Sequence, residues 1–174
     1  MKIETLLFTS ETAHVFRNLY PLYLHDLSAF NSAAPNEHGI LESNPYRTLE
    51  EQMEAHNAWL ELPDSLFPYL IRVDGAPAGF CLVATHPHIE RDSDYLIHEF
   101  FLLHAYRGRG VGQQAAVQAF DRFRGRWHVY VLPDNLRAVS FWRKTISEYT
   151  SGDYEEDHGP TIFAEEHVIF RLTN

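Results

Sequence analysis

The fold is decided by the stretch Glu99-Phe-Phe-Leu-Leu-His-Ala-Tyr-Arg-Gly-Arg-Gly-Val-Gly-Gln-Gln-Ala-Ala116. Its apolar part, Phe100 to Leu103, predicts a strand, and a basic, glycine-dense turn from Arg107 to Gly112 follows before a helix opens. Glycine lets a ligand approach the backbone closely, and the free N–H groups and dipole of a helix N-terminus favour an anion. The stretch therefore predicts a phosphate-binding turn, to which Arg107 and Arg109 add positive charge.

Strands and helices alternate around this stretch. The dipeptide Asp74-Gly75 lies between apolar runs at 69–73 and 78–84 and predicts a hairpin. The strand at 95–103, the helix after the turn and the strand at 127–132 predict a parallel crossover. Together these patterns predict an α+β fold with a mixed, mostly antiparallel sheet.

The flanking segments carry weaker signals. Residues 2–8 predict a strand, and the helix that follows is expected to be interrupted or restarted at Pro21, before a long loop over 29–45. Thr48 and Glu51 form a capping box for a helix that runs to about Leu60. A helix from Asn135 through Lys144 and strands at 145–150 and 162–172 complete the prediction.

Composition limits the class of protein. The 174 residues predict one domain over 1–174, and the net charge of −10 argues against nucleic-acid binding while suiting a cationic substrate. The single cysteine, Cys81, lies in an apolar run and indicates a buried thiol in a reducing compartment. No apolar run is as long as a membrane span, and we expect a cytoplasmic protein without membrane partners.

Three interpretations compete for the glycine turn. A P-loop requires Gly-Lys-Ser/Thr, whereas Gly112 is followed by two glutamines. A dinucleotide fingerprint is a closer match at Gly110 to Ala115, but residues 104–109 separate these glycines from the strand, and too little chain follows residue 134. The third interpretation is an acyl-coenzyme A pyrophosphate site, and the alternative to all three is a glycine turn that only joins a strand to a helix for packing.

Two motifs resemble the GNAT superfamily of N-acetyltransferases. Arg107-x-x-Gly110-x-Gly112 is similar to its Arg/Gln-x-x-Gly-x-Gly/Ala signature, and Asn135-Leu-Arg-Ala138-Val-Ser-Phe141-Trp142-Arg-Lys resembles its Asn-x-x-Ala-x-x-Phe-Tyr-x-Lys segment. The resemblance implies a three-layer fold in which helices flank the sheet, with acetyl-coenzyme A as cosubstrate. It implies a cofactor site made by Leu102, Leu103, Arg107, Gly108, Arg109, Gly110, Val111, Gly112, Asn135, Ala138 and Phe141.

The resemblance also implies the chemistry: an amine attacks the acetyl thioester directly. Glu99 is our candidate general base, because a carboxylate buried in an apolar strand has a raised pKa; His98 and His104 are the alternatives. Trp142 stands where the family has a tyrosine that protonates the leaving thiolate, which leaves the general acid open, with Tyr130 and Tyr149 nearby in sequence.

Several questions stay open at this level. His86-x-His88 is the one tight histidine pair, and no metal site is expected. The acceptor is expected to be a small-molecule or peptide amine, which the sequence does not identify. The sequence also leaves open which acyl chain is transferred and whether the chain forms a homodimer. The alternative function is a non-catalytic acyl-coenzyme A-binding or sensing module on the same fold.

Overall fold

A computed structural model describes residues 1–42 and 44–174. These residues contain one seven-stranded sheet with the strand order β1-β2-β3-β4-β5-β7-β6. Strands β4 and β5 are parallel, and the other neighbouring pairs are antiparallel. The elements in chain order are β1 (Ile3–Leu7), α1 (Ala13–Asn31), α2 (Leu49–Ala55), α3 (Ala58–Glu61), β2 (Leu66–Val73), β3 (Ala76–Ala84), β4 (Tyr95–Leu102), α4 (Val111–Phe120), β5 (Arg126–Val131), α5 (Leu136–Thr150), β6 (Glu155–Pro160) and β7 (Glu166–Thr173).

Helices cover both faces of the sheet, which confirms the predicted three-layer α+β fold and the parallel crossover. On one face α4 and α5 bury a core that includes Trp127 and Phe120, and on the other α1 to α3 bury Phe16 and Phe80. Cys81 is fully buried, as its apolar neighbours indicate. No helix among the described residues is both long and apolar enough to cross a membrane.

Helix α1 differs from its prediction at both Pro21 and its C-terminal end. It continues through Pro21 to Asn31, so the N-terminal residues of the expected loop are helical. Proline removes one intrahelical hydrogen bond. Burial of Phe16, Leu19 and Tyr20 against the sheet outweighs this loss, because tertiary packing supplies most of a helix's stability.

The second predicted helix is divided into α2 and α3. Thr48 caps α2, accepting a hydrogen bond from the N–H of Glu51, and Glu51 Oε2 accepts one from the N–H of Arg47. Helix α2 ends at Ala55, and the short helix α3 begins at Ala58. The cap is therefore as predicted, while the single continuous helix to about Leu60 is not.

The C-terminal predictions are partly wrong. Residues 145–150 continue α5 rather than forming a strand, because Trp142, Thr145 and Ile146 share one buried helical face. The last strand is shorter than predicted and begins at Glu166. Its partner β6 is an exposed edge strand without apolar alternation, so the sequence pattern does not predict it.

Candidate active site

Strands β4 and β5 separate in the middle of the sheet. Their parallel pairing runs only from Tyr95 and Trp127 to Ile97 and Val129, although both strands continue beyond it. A cavity of about 320 Å³ lies at this separation and is lined by both strands, by α1 and α5, and by the β6–β7 turn. The separation therefore opens a site inside the sheet without breaking its other pairings.

A bulge in β4 directs two polar side chains to the same face. Leu82 pairs with Glu99 and Val83 with Ile97, so His98 has no partner on β3. Side chains alternate between faces in a regular strand, and an unpaired residue interrupts this alternation. His98 and Glu99 therefore both contact residues on the α1–α3 side of the sheet.

Glu99 is a buried carboxyl group at the cavity. The hydroxyl of Tyr20, on α1, donates a hydrogen bond to its Oε1 at 3.1 Å, while Oε2 is buried without a partner. Burial raises the pKa of Glu99 to about 8, although the bond from Tyr20 lowers it and nearby Glu42 raises it further. A carboxyl group with this pKa and a free oxygen is suited to exchanging a proton near neutral pH.

The two histidine alternatives occupy different surroundings. His98 lies edge-on to both Trp59 and Phe163 at 5.1 Å between ring centroids, and burial lowers its pKa to about 4. Its Nδ1 is 3.7 Å from Glu99 Oε1, so it lies beside the candidate base. His104 is exposed, contacts Asp26 and lies by a second cavity.

Along the edge of β4 that faces the gap between β4 and β5, every second residue directs its backbone N–H and C=O groups into the gap. The N–H of Leu103 donates to the carbonyl of Ala78 on β3 at 2.8 Å. Because N–H and C=O groups alternate in direction along a strand, those of Phe100 and Leu102 face the gap. The carbonyl of Leu102 accepts a hydrogen bond from Arg107 Nε at 2.7 Å. Of the predicted pair Leu102 and Leu103, only Leu102 presents its amide to the gap.

The glycine turn has the conformation that an anion site requires. Gly108 and Gly110 have φ values of +71° and +77°, which glycine adopts without steric cost, and no atom lies within 4 Å of a Cβ placed there. The first intrahelical bond of α4 runs from Gln114 N to Gly110 O. The N–H groups of Val111 and Gly112 thus lack an intrahelical acceptor and are available to a ligand.

Arg107 connects the turn to α1. Its guanidinium donates to the carboxylate of Asp26 as well as to Leu102. Partial burial opposes ionisation of Asp26, but hydrogen bonds from Arg107 and His104 hold the pKa of that carboxyl below its usual value. Arg109 is exposed, and its Nη1 lies 3.5 Å from the carbonyl of Ala105. The two arginines thus have different surroundings, and only Arg107 lines the second cavity.

The start of α5 closes the other side of the site. Asn135 Oδ1 accepts a hydrogen bond from the N–H of Ala138 at 3.1 Å and so caps the helix. Phe141 stacks on Phe100 at 5.8 Å between centroids, and a Cβ on Gly112 would lie 3.1 Å from Phe141. A larger residue at position 112 would therefore require the Phe141 and Leu102 side chains to shift by a few tenths of an ångström.

The second cavity has a volume of about 650 Å³ and shares several lining residues with the first. Both are lined by Phe100, Asn135, Ala138 and Trp142. Eight predicted cofactor residues line the second cavity: Leu102, Arg107, Gly108, Gly110, Gly112, Asn135, Ala138 and Phe141. Leu103, Arg109 and Val111 do not, and the Val111 side chain lies in the core.

Of the aromatic residues considered for the general acid, only some line the two cavities. Trp142 is buried against Phe100 and offers no acidic hydroxyl. Tyr149 donates to Asp121 at 2.9 Å and lines neither cavity, whereas Tyr130 lines the first. Tyr23 lines both cavities and is missed by the sequence reasoning, although it follows Tyr20 by one helical turn.

The histidine pair His86 and His88 does not converge. His86 Nε2 lies 2.9 Å from the carbonyl of Ser93, and His88 Nε2 lies 3.2 Å from Ser65 Oγ. Within residues 1–42 and 44–174, one set of three potential metal ligands lies close together: Glu90, Asp92 and His128. The sequence pair is thus not a site, and the expectation about metals stays a prediction.

The sheet thus separates between β4 and β5, and the glycine turn before α4 lines a second cavity that shares residues with the first. The model of the acetyltransferase (GNAT) family matches residues 33–146, well over half of the chain, so the chain belongs to this family of acetyltransferases. No curated protein matches the chain at a significant level.

Solved structures support the fold over the whole chain. An acetyltransferase from Thermus thermophilus superposes with a TM-score of 0.67 at 16% identity, covering 100% of this chain and 98% of that one. The aminoglycoside acetyltransferase AAC(6')-Ib, in complex with coenzyme A and kanamycin, gives 0.65 at 16% identity, covering 99% and 95%. The PaiA N-acetyltransferase from Thermoplasma acidophilum, with coenzyme A, gives 0.62 at 13% identity, covering 100% of both chains.

Proposed function

We propose that the chain is an acetyl-coenzyme A-dependent N-acetyltransferase that works as one domain over residues 1–174 and acetylates a small amine. The observation that carries the proposal is the buried Glu99 carboxyl group, with one unpartnered oxygen, in the cavity at the gap between β4 and β5, which shares lining residues with the cavity beside the glycine turn. Solved relatives that hold coenzyme A, and one that also holds an amine-bearing antibiotic, support it. The single cysteine, which cannot form an internal disulfide, favours a cytoplasmic enzyme, and the net charge of −10 suits a cationic substrate.

The residues around the second cavity fit the donor. The N–H groups at the start of α4, together with the open backbone at Gly108 and Gly110, would hold the pyrophosphate. The edge groups of Phe100 and Leu102 would hydrogen-bond the pantetheine arm as an added strand does, and a β4 amide would polarise the carbonyl. When bound, acetyl-coenzyme A supplies an acetyl thioester that an amine can attack.

Glu99 would act as the general base. An alkylamine is mostly protonated at neutral pH, and its nitrogen has no free electron pair until one proton leaves. The Glu99 carboxylate accepts that proton, and the nitrogen then forms the new C–N bond as the C–S bond breaks. The nitrogen loses its second proton to water as the amide forms. Because Trp142 has no acidic hydroxyl, we propose that the leaving thiolate takes its proton from water rather than from α5.

Release of free thiol tests this function. Purified protein with acetyl-coenzyme A and a panel of amines should release thiol in proportion to acceptor, and mass spectrometry should find the acetylated amine. Binding of acetyl-coenzyme A without acceptor-dependent release would instead favour the acyl-coenzyme A-binding module. Trp142, in place of the family's tyrosine, is the observation in favour of that second function.

A further inference from the structure

The lining of the first cavity carries information about the acceptor. We infer that the acceptor is a compact primary amine with an aromatic or otherwise apolar body and no carboxylate; this inference rests on the proposed function. Three properties of the cavity lead to this class: the sign of its charges, its aromatic walls and its volume.

Among the residues that the structure describes, the lining carries two carboxyl groups and no lysine or arginine. The two carboxyl groups belong to Glu99 and Glu165. His167 lines it as well, but its Nδ1 is within hydrogen-bonding distance of Thr161 Oγ1 at 3.2 Å and of the Glu165 carbonyl at 2.9 Å. An ammonium group is favoured beside these carboxyls, whereas a substrate carboxylate would enter without a cationic partner.

The walls of the cavity are aromatic. Phe163, in the turn before β7, is edge-on to His98 at 5.1 Å and to Tyr130 at 6.2 Å between centroids. Tyr23, Phe100 and Trp142 complete the aromatic lining. Aromatic side chains gain free energy by edge or offset contact with another ring, and their faces attract an ammonium group.

The volume favours a small acceptor. At about 320 Å³ the cavity is at the lower end of the range for small-molecule sites, roughly 300–1,000 Å³. A single ring with a short aminoalkyl chain fits this volume, whereas an aminoglycoside brings several linked polar rings and several ammonium groups. We therefore expect this chain to differ in acceptor from the kanamycin-bound relative.

A panel of four amines tests the inference: phenethylamine, phenylalanine, putrescine and kanamycin. Phenylalanine differs from phenethylamine only by a carboxylate, and putrescine lacks the ring. We expect kcat/KM of thiol release to be at least about tenfold higher for phenethylamine than for each of the others. An equal or higher value for any of the three overturns the inference and leaves N-acetylation standing. Absence of release with all four contradicts the proposed function, and this inference with it.

Two variants of the β6–β7 turn test the aromatic wall. Phe163→Ala should raise KM for phenethylamine by about 2- to 10-fold through loss of a ring contact, with unchanged acetyl-coenzyme A affinity. Ile162→Ala is the matched control, because Ile162 is 44% exposed, close to the 40% of Phe163, and does not line the cavity. Equal effects of the two substitutions would show that Phe163 does not contact the acceptor and would overturn the aromatic assignment.

Charge reversal tests the acidic lining. Glu165→Arg should lower kcat/KM for phenethylamine and raise it for phenylalanine, because the new guanidinium can pair with the carboxylate. The ratio of the two constants should move by about tenfold toward phenylalanine. An unchanged ratio would remove the charge argument for the acceptor class.

Discussion

The Tyr20 hydroxyl donates a hydrogen bond to Glu99 Oε1 at 3.1 Å, joining α1 to β4 across 79 positions of the sequence. Tyr20 is itself buried, and its ring centroid lies 4.3 Å from that of His56, the residue that follows α2. The helices on this face of the sheet therefore help to set the protonation of the candidate base. The pKa of Glu99, about 8, is the balance between burial, which raises it, and this hydrogen bond, which lowers it.

The Tyr20→Phe substitution should move the pH dependence of the reaction. Glu99 acts as a base only when ionised, so kcat/KM should rise with pH through about 8 in the wild-type protein. Removing the Tyr20 hydroxyl raises the pKa of Glu99 and therefore shifts the rise of kcat/KM to higher pH. The acceptor's own ionisation is the same for both proteins, so the difference between the two profiles isolates Glu99. Superimposable profiles would contradict the role of the hydrogen bond.

The Glu99→Gln substitution should reduce turnover without changing cofactor affinity. General-base catalysis typically contributes about 10²- to 10⁴-fold, and the loss should be greatest where the amine is mostly protonated. Steady-state kinetics at pH 7 and pH 10, with acetyl-coenzyme A affinity from calorimetry, measure both quantities. Normal turnover at neutral pH would exclude Glu99 as the base.

The same substitution should stabilise the protein at alkaline pH. The pKa of Glu99 is raised on folding, so the folded state holds its proton more tightly and stability is lost as pH rises from about 4.5 to about 8. Glutamine keeps the acceptor for Tyr20 and carries no proton to lose. The gain in Tm over wild type should be near zero at pH 4.5 and reach several degrees at pH 8.5, since each kcal/mol is worth roughly 2–4 °C.

An exposed glutamate supplies the control for this stability measurement. Glu11→Gln removes one carboxyl group at the surface and should give the same small change in Tm at both pH values. A gain for Glu99→Gln that does not grow with pH would contradict the raised pKa.

The conformation of the glycine turn and the start of α5 could be predicted because their determinants are local in sequence. The positive φ values at Gly108 and Gly110, the start of α4 and the cap at Asn135 each depend on residues within one turn or one helix end. Motif spacing is enough to identify such features.

The surroundings of Glu99 depend on contacts between distant segments. Helix α1 passes through Pro21 because of what it buries, and Tyr20 meets Glu99 only after the sheet has formed. The bulge at His98 appears only in the pairing of β4 with β3. The strand prediction at 145–150 is wrong for a different reason: the threonines and isoleucine there favour a strand, but Trp142, Thr145 and Ile146 follow a helical period.

The Gly110→Asp substitution tests the pyrophosphate site. Gly110 has a φ of +77°, and asparagine and aspartate tolerate this region better than other non-glycine residues. Gly110→Asn is therefore the matched control, with the same shape and no charge. We expect Asp to weaken acetyl-coenzyme A binding at least about tenfold more than Asn, and similar Tm values for the two. Equal affinities would place the pyrophosphate elsewhere.

Substitutions of Asn135 separate its two roles. Its side chain caps α5 through the N–H of Ala138, at 3.1 Å, and it also lines both cavities. Asn135→Ala removes the cap and should cost about 1 kcal/mol of stability. Asn135→Ser keeps an oxygen that can cap, so its stability should stay close to wild type, while the amide group that would reach the cofactor is lost. If Asn135 contacts the cofactor, both variants weaken acetyl-coenzyme A binding although only Ala lowers Tm. A serine variant with wild-type affinity would instead assign Asn135 to the helix cap alone.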